Sequence, residues 1–275
     1  MKNMKIAILG GGNIGTSLAA GLIRSGICDY DTVIVSDKRE ARLSYLRNKG
    51  FTVTSDNKEA IGFADHVILS VKPQQFEGLS DEIKDSAGRD KIIISTITGV
   101  VFDDLEKRLG KRELIRIMPN TALEICESMT CISFRNTGSE TEELIVALFD
   151  RLGKTMVIPE DLMSAATVIG ACGVAFALRF MRAMSQGGIE IGFNSDVSQI
   201  ITAQTVKGAA RLMLETRNHP ESEIDKVTTP QGITISGLNE MEHQGLSSAV
   251  IRGLTVSFNK LENMLSGSGS HNNLR

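Results

Sequence analysis

The glycine-rich segment at residues 5–26, KIAILGGGNIGTSLAAGLIRSG, constrains the fold of this chain more than any other feature. An apolar run with the length of a buried strand precedes Gly10, and a helical pattern of apolar residues then continues to Gly26. Gly10, Gly12 and Gly15 match the G-x-G-x-x-G spacing, which serves a tight turn, close approach to a pyrophosphate and close helix–strand packing. The segment therefore predicts a dinucleotide-binding βαβ unit whose helix N-terminus receives the phosphates. A glycine-rich turn without a ligand is the alternative.

The end of the second predicted strand, residues 32–36, indicates which dinucleotide is bound. Ser36, Asp37, Lys38 and Arg39 stand there. A carboxylate at this position hydrogen-bonds the ribose of NAD, whereas nearby cations and hydroxyls hold the extra phosphate of NADP. Two cations outweigh one carboxylate beside a phosphate, so the sequence favours NADPH, with NADH as the alternative cofactor. The alternative is that these charged side chains are solvated at the start of a helix and do not recognise a cofactor.

Strands and helices alternate through the first part of the chain, which predicts a doubly wound parallel sheet. Ligands bind beyond the carboxyl ends of such strands, so we expect Lys72, Thr96, Thr98 and Asn120 to share a crevice with the glycine loop. Further strands are predicted at residues 51–53, 66–71, 92–95, 115–118, 129–134 and 154–158. Intervening helices are predicted at residues 42–49, from a cap at Asp56 or Asn57, and at residues 140–152.

The pattern becomes entirely helical after Pro159. Helices are predicted at residues 161–186, 196–217, 221–227, 236–244 and 246–265. The fold class is therefore α/β: an N-terminal Rossmann doubly wound parallel sheet at residues 1–159, followed by an all-helical substrate and dimerisation domain at residues 160–265. The tail at residues 266–275, SGSGSHNNLR, is of low complexity, and we expect it to be disordered.

Composition argues against several other classes of protein. A net charge of −3 gives no broad attraction to nucleic acid or to an anionic membrane. Residues 162–178 carry no charge but fall short of the ~20 apolar residues of a membrane span, so we expect a helix in a core or subunit interface. No cleavable apolar segment precedes the first strand, which favours a cytoplasmic protein. The cysteines and histidines lack metal-ligand spacing, and the cysteines are expected to be free thiols: Cys28, Cys126, Cys131 and Cys172.

Several segments together resemble the pyrroline-5-carboxylate reductases. The similarity extends from Lys5 to about Leu265, in the order and spacing of that family. The segments that carry it are KIAILGGGNIG, SVKP at residues 70–73, RIMPNT at residues 116–121, AQTVKGAA at residues 203–210 and VTTPQGIT at residues 227–234. The arginine–methionine–proline–asparagine run and the late Thr-Pro segment are specific, whereas the glycine loop alone is not.

The resemblance implies a reductase that makes proline from 1-pyrroline-5-carboxylate with NADPH or NADH. It also implies a homodimer through the helical domain, with dimers commonly assembling into decamers. The substrate would lie between the nicotinamide and a loop of the helical domain, which in this chain is residues 228–234.

The resemblance also assigns roles to residues. Thr234 would hydrogen-bond the ring nitrogen, and the backbone around Thr229, Gly232 and Ile233 would receive the substrate carboxylate. Glu160 and Lys226 stand at positions that approach the substrate in some family members. The matching cofactor positions are Leu9, Gly10, Gly11, Gly12, Asn13, Ile14, Asn57, Val71, Lys72, Pro73, Thr96, Ile97, Thr98 and Asn120. To these the motif and the second strand add Gly15, Ser36, Asp37, Lys38 and Arg39.

The chemistry expected at Thr234 is modest. Hydride transfer to a C=N carbon is easier when the nitrogen is protonated, and the dinucleotide carries the redox chemistry. A neutral hydroxyl orients the imine or relays a proton through water. The alternative for Thr234 is an ordinary helix N-cap.

The sequence departs from the family pattern on the substrate side. Gln231 replaces a glycine, GACGVAF at residues 170–176 lacks two serines and a proline, and Ala122 replaces another proline. These changes leave two alternatives open. One is a related reductase that acts on another cyclic imine or small carbonyl acid, and the other is a non-catalytic dinucleotide-binding protein.

Overall fold

The computed structural model describes residues 4–269, with side chains described as far as residue 265. The chain divides into two compact units, each described by itself below. The first contains the described parts of residues 1–172 and 260–275, and the second contains Gly173–Asn259.

The first unit is built on a single eight-stranded sheet. Its strands are β1 (Ile6–Leu9), β2 (Val33–Ser36), β3 (Thr52–Thr54), β4 (His66–Leu69), β5 (Ile92–Ser95), β6 (Leu114–Met118), β7 (Ser128–Arg135) and β8 (Gly153–Val157). Their order across the sheet is β3-β2-β1-β4-β5-β6-β7-β8. Neighbouring strands are parallel except β6 and β7, which are antiparallel. The predicted Rossmann architecture is confirmed, with one reversed step near the far edge.

Helices cover both faces of this sheet. They are α1 (Asn13–Arg24), α2 (Glu40–Asn48), α3 (Asn57–Phe63), α4 (Phe76–Ile83), α5 (Phe102–Leu109) and α6 (Ser139–Asp150). Successive residues of a strand point to opposite faces. Ile6 and Ile8 of β1 therefore join a core with α1 and α6, while Ala7 and Leu9 join a second core with α3, α4 and α5. Burial on both faces explains the uninterrupted apolar strands.

The predicted helix at residues 161–186 is helical throughout but changes type. A 3₁₀ turn at Glu160–Leu162 leads into α7 (Met163–Ala166), a π-helical turn at Thr167–Cys172, and α8 (Gly173–Glu190). Met163 and Ala166 are buried against Met118 and Cys131 of the sheet. The division between the two compact units follows Cys172. The domain boundary at residue 159 stays a prediction.

The second unit is helical. Besides α8 it contains α9 (Ser195–Thr216), α10 (Pro220–Asp225), α11 (Ile233–His243) and the part of α12 (Leu246–Gly269) that ends at Asn259. Small residues bring α8 and α9 close together, since the buried Ser198 Oγ donates to the Ser185 carbonyl at 2.8 Å. The last helix continues to Gly269, so the first residues of the tail predicted to be disordered are helical. The remainder, residues 270–275, lies outside the described residues.

Glu160–Glu190 is the one stretch within residues 4–269 that is long and apolar enough to cross a membrane. A core helix of a soluble protein can have the same length and composition. Large apolar side chains are exposed along this stretch in the single chain, including Ile169 at 68% and Leu178 at 58%. Of the two predicted environments, a subunit interface therefore suits this surface better than a core.

Candidate active site

Two glycines of the loop after β1 are required by close packing, and a third leaves open space. Gly10 has a φ of +113°, and an added Cβ would lie 2.3 Å from the Ser70 carbonyl oxygen. A Cβ on Gly15 would lie 2.0 Å from the Gly10 carbonyl oxygen. A Cβ on Gly12, the N-cap of α1, would meet nothing within 4 Å. The loop is thus tight on the protein side and open at the start of α1.

A cavity of about 270 Å³ adjoins this loop. It lies beside β1, which has β2 on one side in the sheet and β4 on the other. This is the switch point at which doubly wound sheets bind ligands. Its lining contains many of the predicted cofactor residues: Gly10, Gly12, Ser36, Asp37, Lys38, Arg39, Asn57, Val71 and Lys72. It also contains Ser70 and Gln75, which the sequence analysis did not select.

Asp37 joins the end of β2 to the glycine loop. Its Oδ2 accepts the Gly11 N–H at 3.1 Å, and its Oδ1 accepts the Arg39 N–H at 2.9 Å. The Arg39 guanidinium also donates to both carboxylate oxygens, at 3.0 and 3.1 Å. Burial alone would raise the pKa of Asp37, but the hydrogen bonds from Arg39 and Gly11 outweigh burial and hold this pKa below its usual value. The carboxylate is therefore ionised at neutral pH.

Asn57 is the buried centre of a second link at the same place. Ser36 Oγ donates to Asn57 Oδ1 at 2.6 Å, and Asn57 Nδ2 donates to Glu82 Oε2 at 3.0 Å. Glu82 Oε1 accepts from Lys38 Nζ at 2.8 Å. Asp56 is the N-cap of α3 and accepts the Lys58 N–H, so the first of the two predicted caps is the one that the structure uses.

Arg42 is a site residue that the sequence analysis missed. Its guanidinium donates to the carbonyls of Gly11 and Gly12 and to Thr16 Oγ1, the last at 2.7 Å. A signal was available, because Arg42 lies in the first turn of the helix after β2, at the same sheet edge as the loop. Its contacts satisfy the carbonyls of Gly11 and Gly12.

Other predicted cofactor residues support the crevice from outside the cavity lining. Thr96 Oγ1 donates to the Leu69 carbonyl at 3.2 Å, which ties the ends of β4 and β5 together. Asn120 Nδ2 donates to the Gly170 carbonyl at 3.0 Å, and Asn120 Oδ1 caps the following 3₁₀ turn. The remaining predicted residues outside the lining are Leu9, Gly11, Asn13, Ile14, Gly15, Pro73, Ile97 and Thr98.

Glu160 is paired within the first unit. Its Oε1 accepts from Arg116 at 2.7 Å and from the Phe102 N–H at 2.7 Å, while its Oε2 accepts from Arg135 at 3.4 Å. The Arg116 side chain is only 5% exposed. Glu160 therefore links the start of the helical region to β6, β7 and α5, and its approach to a substrate stays a prediction.

The predicted substrate loop belongs to the second unit. Gly232, not Thr234, is the N-cap of α11, so the interpretation of Thr234 as an N-cap is wrong: its exposed side chain lies in the first helical turn. Gly232 N–H donates to the Thr229 carbonyl at 2.9 Å, and Gln231 has a φ of +58°. Lys226 pairs with Glu223 at 2.8 Å. The side chain that replaces the family's glycine thus sits in a backbone conformation that favours glycine.

The cysteines and histidines form no candidate metal centre within residues 4–269. All four cysteines are free, as predicted. His66 is buried at the start of β4 with neither ring nitrogen hydrogen-bonded, and burial lowers its pKa, so it is a neutral core side chain.

Known proteins match both parts of the chain. The family described as pyrroline-5-carboxylate reductase dimerisation matches residues 160–264, and the family described as NADP oxidoreductase, coenzyme F420-dependent, matches residues 5–99. Pyrroline-5-carboxylate reductase 2 of Dictyostelium discoideum is 40% identical over 275 residues, a match that covers 94% of this chain and 92% of that protein. The chain belongs to the pyrroline-5-carboxylate reductase family.

Two other similar proteins complete the comparison. Pyrroline-5-carboxylate reductase 1 of the same organism is 41% identical over 93% of this chain, which spans about half (49%) of that relative's length. The crystal structure of Plasmodium falciparum pyrroline carboxylate reductase with NADP bound superimposes with a TM-score of 0.88 at 24% identity, covering 96% of this chain and 99% of that one. At that identity the likeness shows a shared fold.

Proposed function

We propose that this protein reduces 1-pyrroline-5-carboxylate to L-proline, the last step of proline biosynthesis, with NADPH as hydride donor. The observation that carries the proposal is the family membership, established over nearly the whole chain, together with an open glycine-loop cavity at the switch point of the sheet. The match of residues 5–99 to a family described as NADP oxidoreductases supports the choice of cofactor.

The residues at the cavity fit a phosphorylated dinucleotide. Gly12 has no side chain to cap α1, so the first-turn N–H groups and the positive end of the helix dipole are available to a pyrophosphate. The space beyond Gly12 would be narrowed by any Cβ there. Lys38 and Arg39 stand at the end of β2, where an adenosine 2′-phosphate is recognised in this fold. NADH remains the alternative donor.

The reaction asks little acid–base strength from the protein. A bound dinucleotide would supply a hydride to the carbon of a C=N bond whose nitrogen is already protonated, and the ring nitrogen would then become the amine without a further proton. Thr234 is the candidate that hydrogen-bonds this nitrogen. The first-turn N–H groups of α11, near Gly232 and Ile233, suit the substrate carboxylate because no side chain of the N-cap residue occupies them.

Purified protein with 1-pyrroline-5-carboxylate tests the proposal directly. We expect oxidation of NADPH, followed by its absorbance, with proline as the product. Thr234→Ala should lower kcat about tenfold, the worth of one net hydrogen bond, and leave the NADPH Kd unchanged. Thr255→Ala removes the same hydroxyl from another helix of the second unit and should match the wild type. An equal loss of cofactor binding in Thr234→Ala would show a structural role instead.

A second substrate has one observation in its favour. Gln231 places a long exposed side chain in the candidate carboxylate loop, at a backbone conformation suited to glycine. A panel of cyclic imines and small carbonyl acids tests this alternative, which fails if the proline precursor is by far the best substrate. Tight NADPH binding with no turnover on any of them would favour a non-catalytic protein.

We infer that the protein is a cytoplasmic homodimer through residues 160–264, with a decamer as the larger assembly. The exposed apolar side chains of the second unit support this, among them Ile200 at 69% and Leu214 at 66%. A second copy would also cover the apolar stretch Glu160–Glu190 without a membrane. Light scattering on the purified chain distinguishes monomer, dimer and decamer.

A further inference from the structure

Glu82 of α4 forms an ion pair with Lys38, one of the two candidate phosphate-binding cations at the end of β2. Lys38 Nζ donates to Glu82 Oε1 at 2.8 Å and to the Ser55 carbonyl at 3.3 Å. Lys38 lines the cavity beside the glycine loop, whereas Glu82 is outside its lining. No feature of the sequence selected Glu82, and it lies 44 residues from Lys38 along the chain.

The position of Glu82 is fixed from its other side. Its Oε2 accepts from Asn57 Nδ2, and Asn57 is itself 7% exposed and oriented by the fully buried Ser36. These hydrogen bonds hold the Glu82 carboxylate independently of Lys38. The Lys38 side chain is 61% exposed and the Glu82 side chain 29% exposed, so the carboxylate is the more enclosed member of the pair.

Two of the three cations near the end of β2 are therefore paired with carboxylates. Lys38 faces Glu82, and Arg39 faces Asp37. Arg42, the third cation nearby, is committed to the carbonyls of Gly11 and Gly12. A 2′-phosphate that enters here must draw Lys38 away from its carboxylate and then remain close to that carboxylate. Ribose hydroxyls carry no charge and meet no such penalty.

We propose that Glu82 determines dinucleotide specificity by neutralising Lys38, so that this enzyme discriminates weakly between NADPH and NADH. Glu82 acts through Lys38 and is a positioning residue. The inference rests on the proposed function, because it presumes that the cavity binds a nicotinamide dinucleotide.

Glu82→Gln is the informative substitution, because it removes the charge and keeps an amide oxygen that accepts from Asn57. Glu77→Gln is the matched control, since it makes the same change on the same helix at a carboxylate that pairs with Arg108. Calorimetry on the full-length protein would measure the Kd of NADP⁺, NAD⁺ and adenosine 2′,5′-bisphosphate.

We expect Glu82→Gln to tighten NADP⁺ and adenosine 2′,5′-bisphosphate about fivefold at low salt, because Lys38 then pairs with the phosphate without competition from a carboxylate. The Kd of NAD⁺ should change by less than about twofold, because NAD⁺ has no 2′-phosphate to interact with the charges of Lys38 and Glu82. The gain should shrink as salt rises, and Glu82→Gln should bring no gain when it is introduced into the Lys38→Gln variant.

Three results would overturn this role of Glu82: equal changes for NADP⁺ and NAD⁺, no change for either, or a full gain when Glu82→Gln is introduced into Lys38→Gln. Those outcomes leave the proposed function standing. A wild-type protein that binds neither dinucleotide would overturn the proposed function, and the specificity proposal would fall with it.

Discussion

Gly15→Ala and Gly12→Ala should separate the folding role of the glycine loop from its binding role. The new Cβ at Gly15 would lie 2.0 Å from a backbone carbonyl oxygen and 3.2 Å from Ile8 Cγ2. A backbone contact cannot be relieved by a rotamer change, so we take the upper end of the overpacking cost, about 3 kcal/mol. Alanine returns about 1 kcal/mol as the better helix former. The net loss is roughly 2 kcal/mol, or about 4–8 °C in Tm for a unit of this size.

Gly12→Ala has the opposite profile. Its Cβ meets nothing within 4 Å, so only the poorer N-cap counts, at about 0.5–1 kcal/mol. The same Cβ narrows the space in which a pyrophosphate approaches the loop, so NADP⁺ binding should be lost. The chain has no tryptophan, so helical circular dichroism is the thermal probe and calorimetry the binding assay. A Gly15→Ala protein as stable as the wild type, or a Gly12→Ala protein that binds NADP⁺ normally, would refute the reasoning.

Two partly buried carboxylates carry the other predictions. Glu160→Gln leaves the buried Arg116 without its ion partner and should lower the free energy of unfolding, measured in urea, by about 3 kcal/mol. The control Glu143→Gln changes an exposed carboxylate and should lower it by almost nothing. Equal losses in the two variants would contradict the assigned link. The pKa of Asp37 is held below its usual value in the folded protein, so its stabilisation is present at neutral pH and is lost as pH falls below the ordinary aspartate range. Urea midpoints should therefore fall less steeply with acid in Asp37→Asn than in the wild type, and parallel curves would count against this.

Local pattern predicted the elements better than the contacts between them. The predicted strand at residues 92–95 coincides with β5, because a central strand buried on both faces leaves an unmistakable apolar run. No helix was predicted at α4, although Phe76, Leu79 and Ile83 recur at helical spacing. The residues at the edge of the cavity that were missed, Glu82 above all, are joined to the site by contacts between distant parts of the chain. A sequence pattern registers neighbours three or four residues apart, not such pairs.

The direction of one step in the sheet was also beyond the sequence. A strand read from composition has no orientation, and β7 turns back antiparallel to β6 after a short 3₁₀ connection. The left-handed backbone at Gln231 was likewise hidden, because a glutamine gives no hint of a positive φ. In the cofactor loop, the glycines indicated the backbone conformation directly. In the candidate substrate loop, Gln231 replaces the family's glycine, so the sequence did not indicate the positive φ found there.

The carboxylate of Asp37 limits how this protein could be re-engineered. To change the dinucleotide specificity, a designer would first mutate the acidic residue after β2, on the assumption that this residue affects specificity alone. Here the same carboxylate accepts the Gly11 N–H, so a substitution that removes this acceptor also loosens the phosphate loop. Cofactor choice and loop shape are coupled at Asp37. Substitutions at Lys38 and Glu82 would change specificity with less effect on the glycine loop, because these side chains hydrogen-bond to Ser55 and Asn57 and not to the loop.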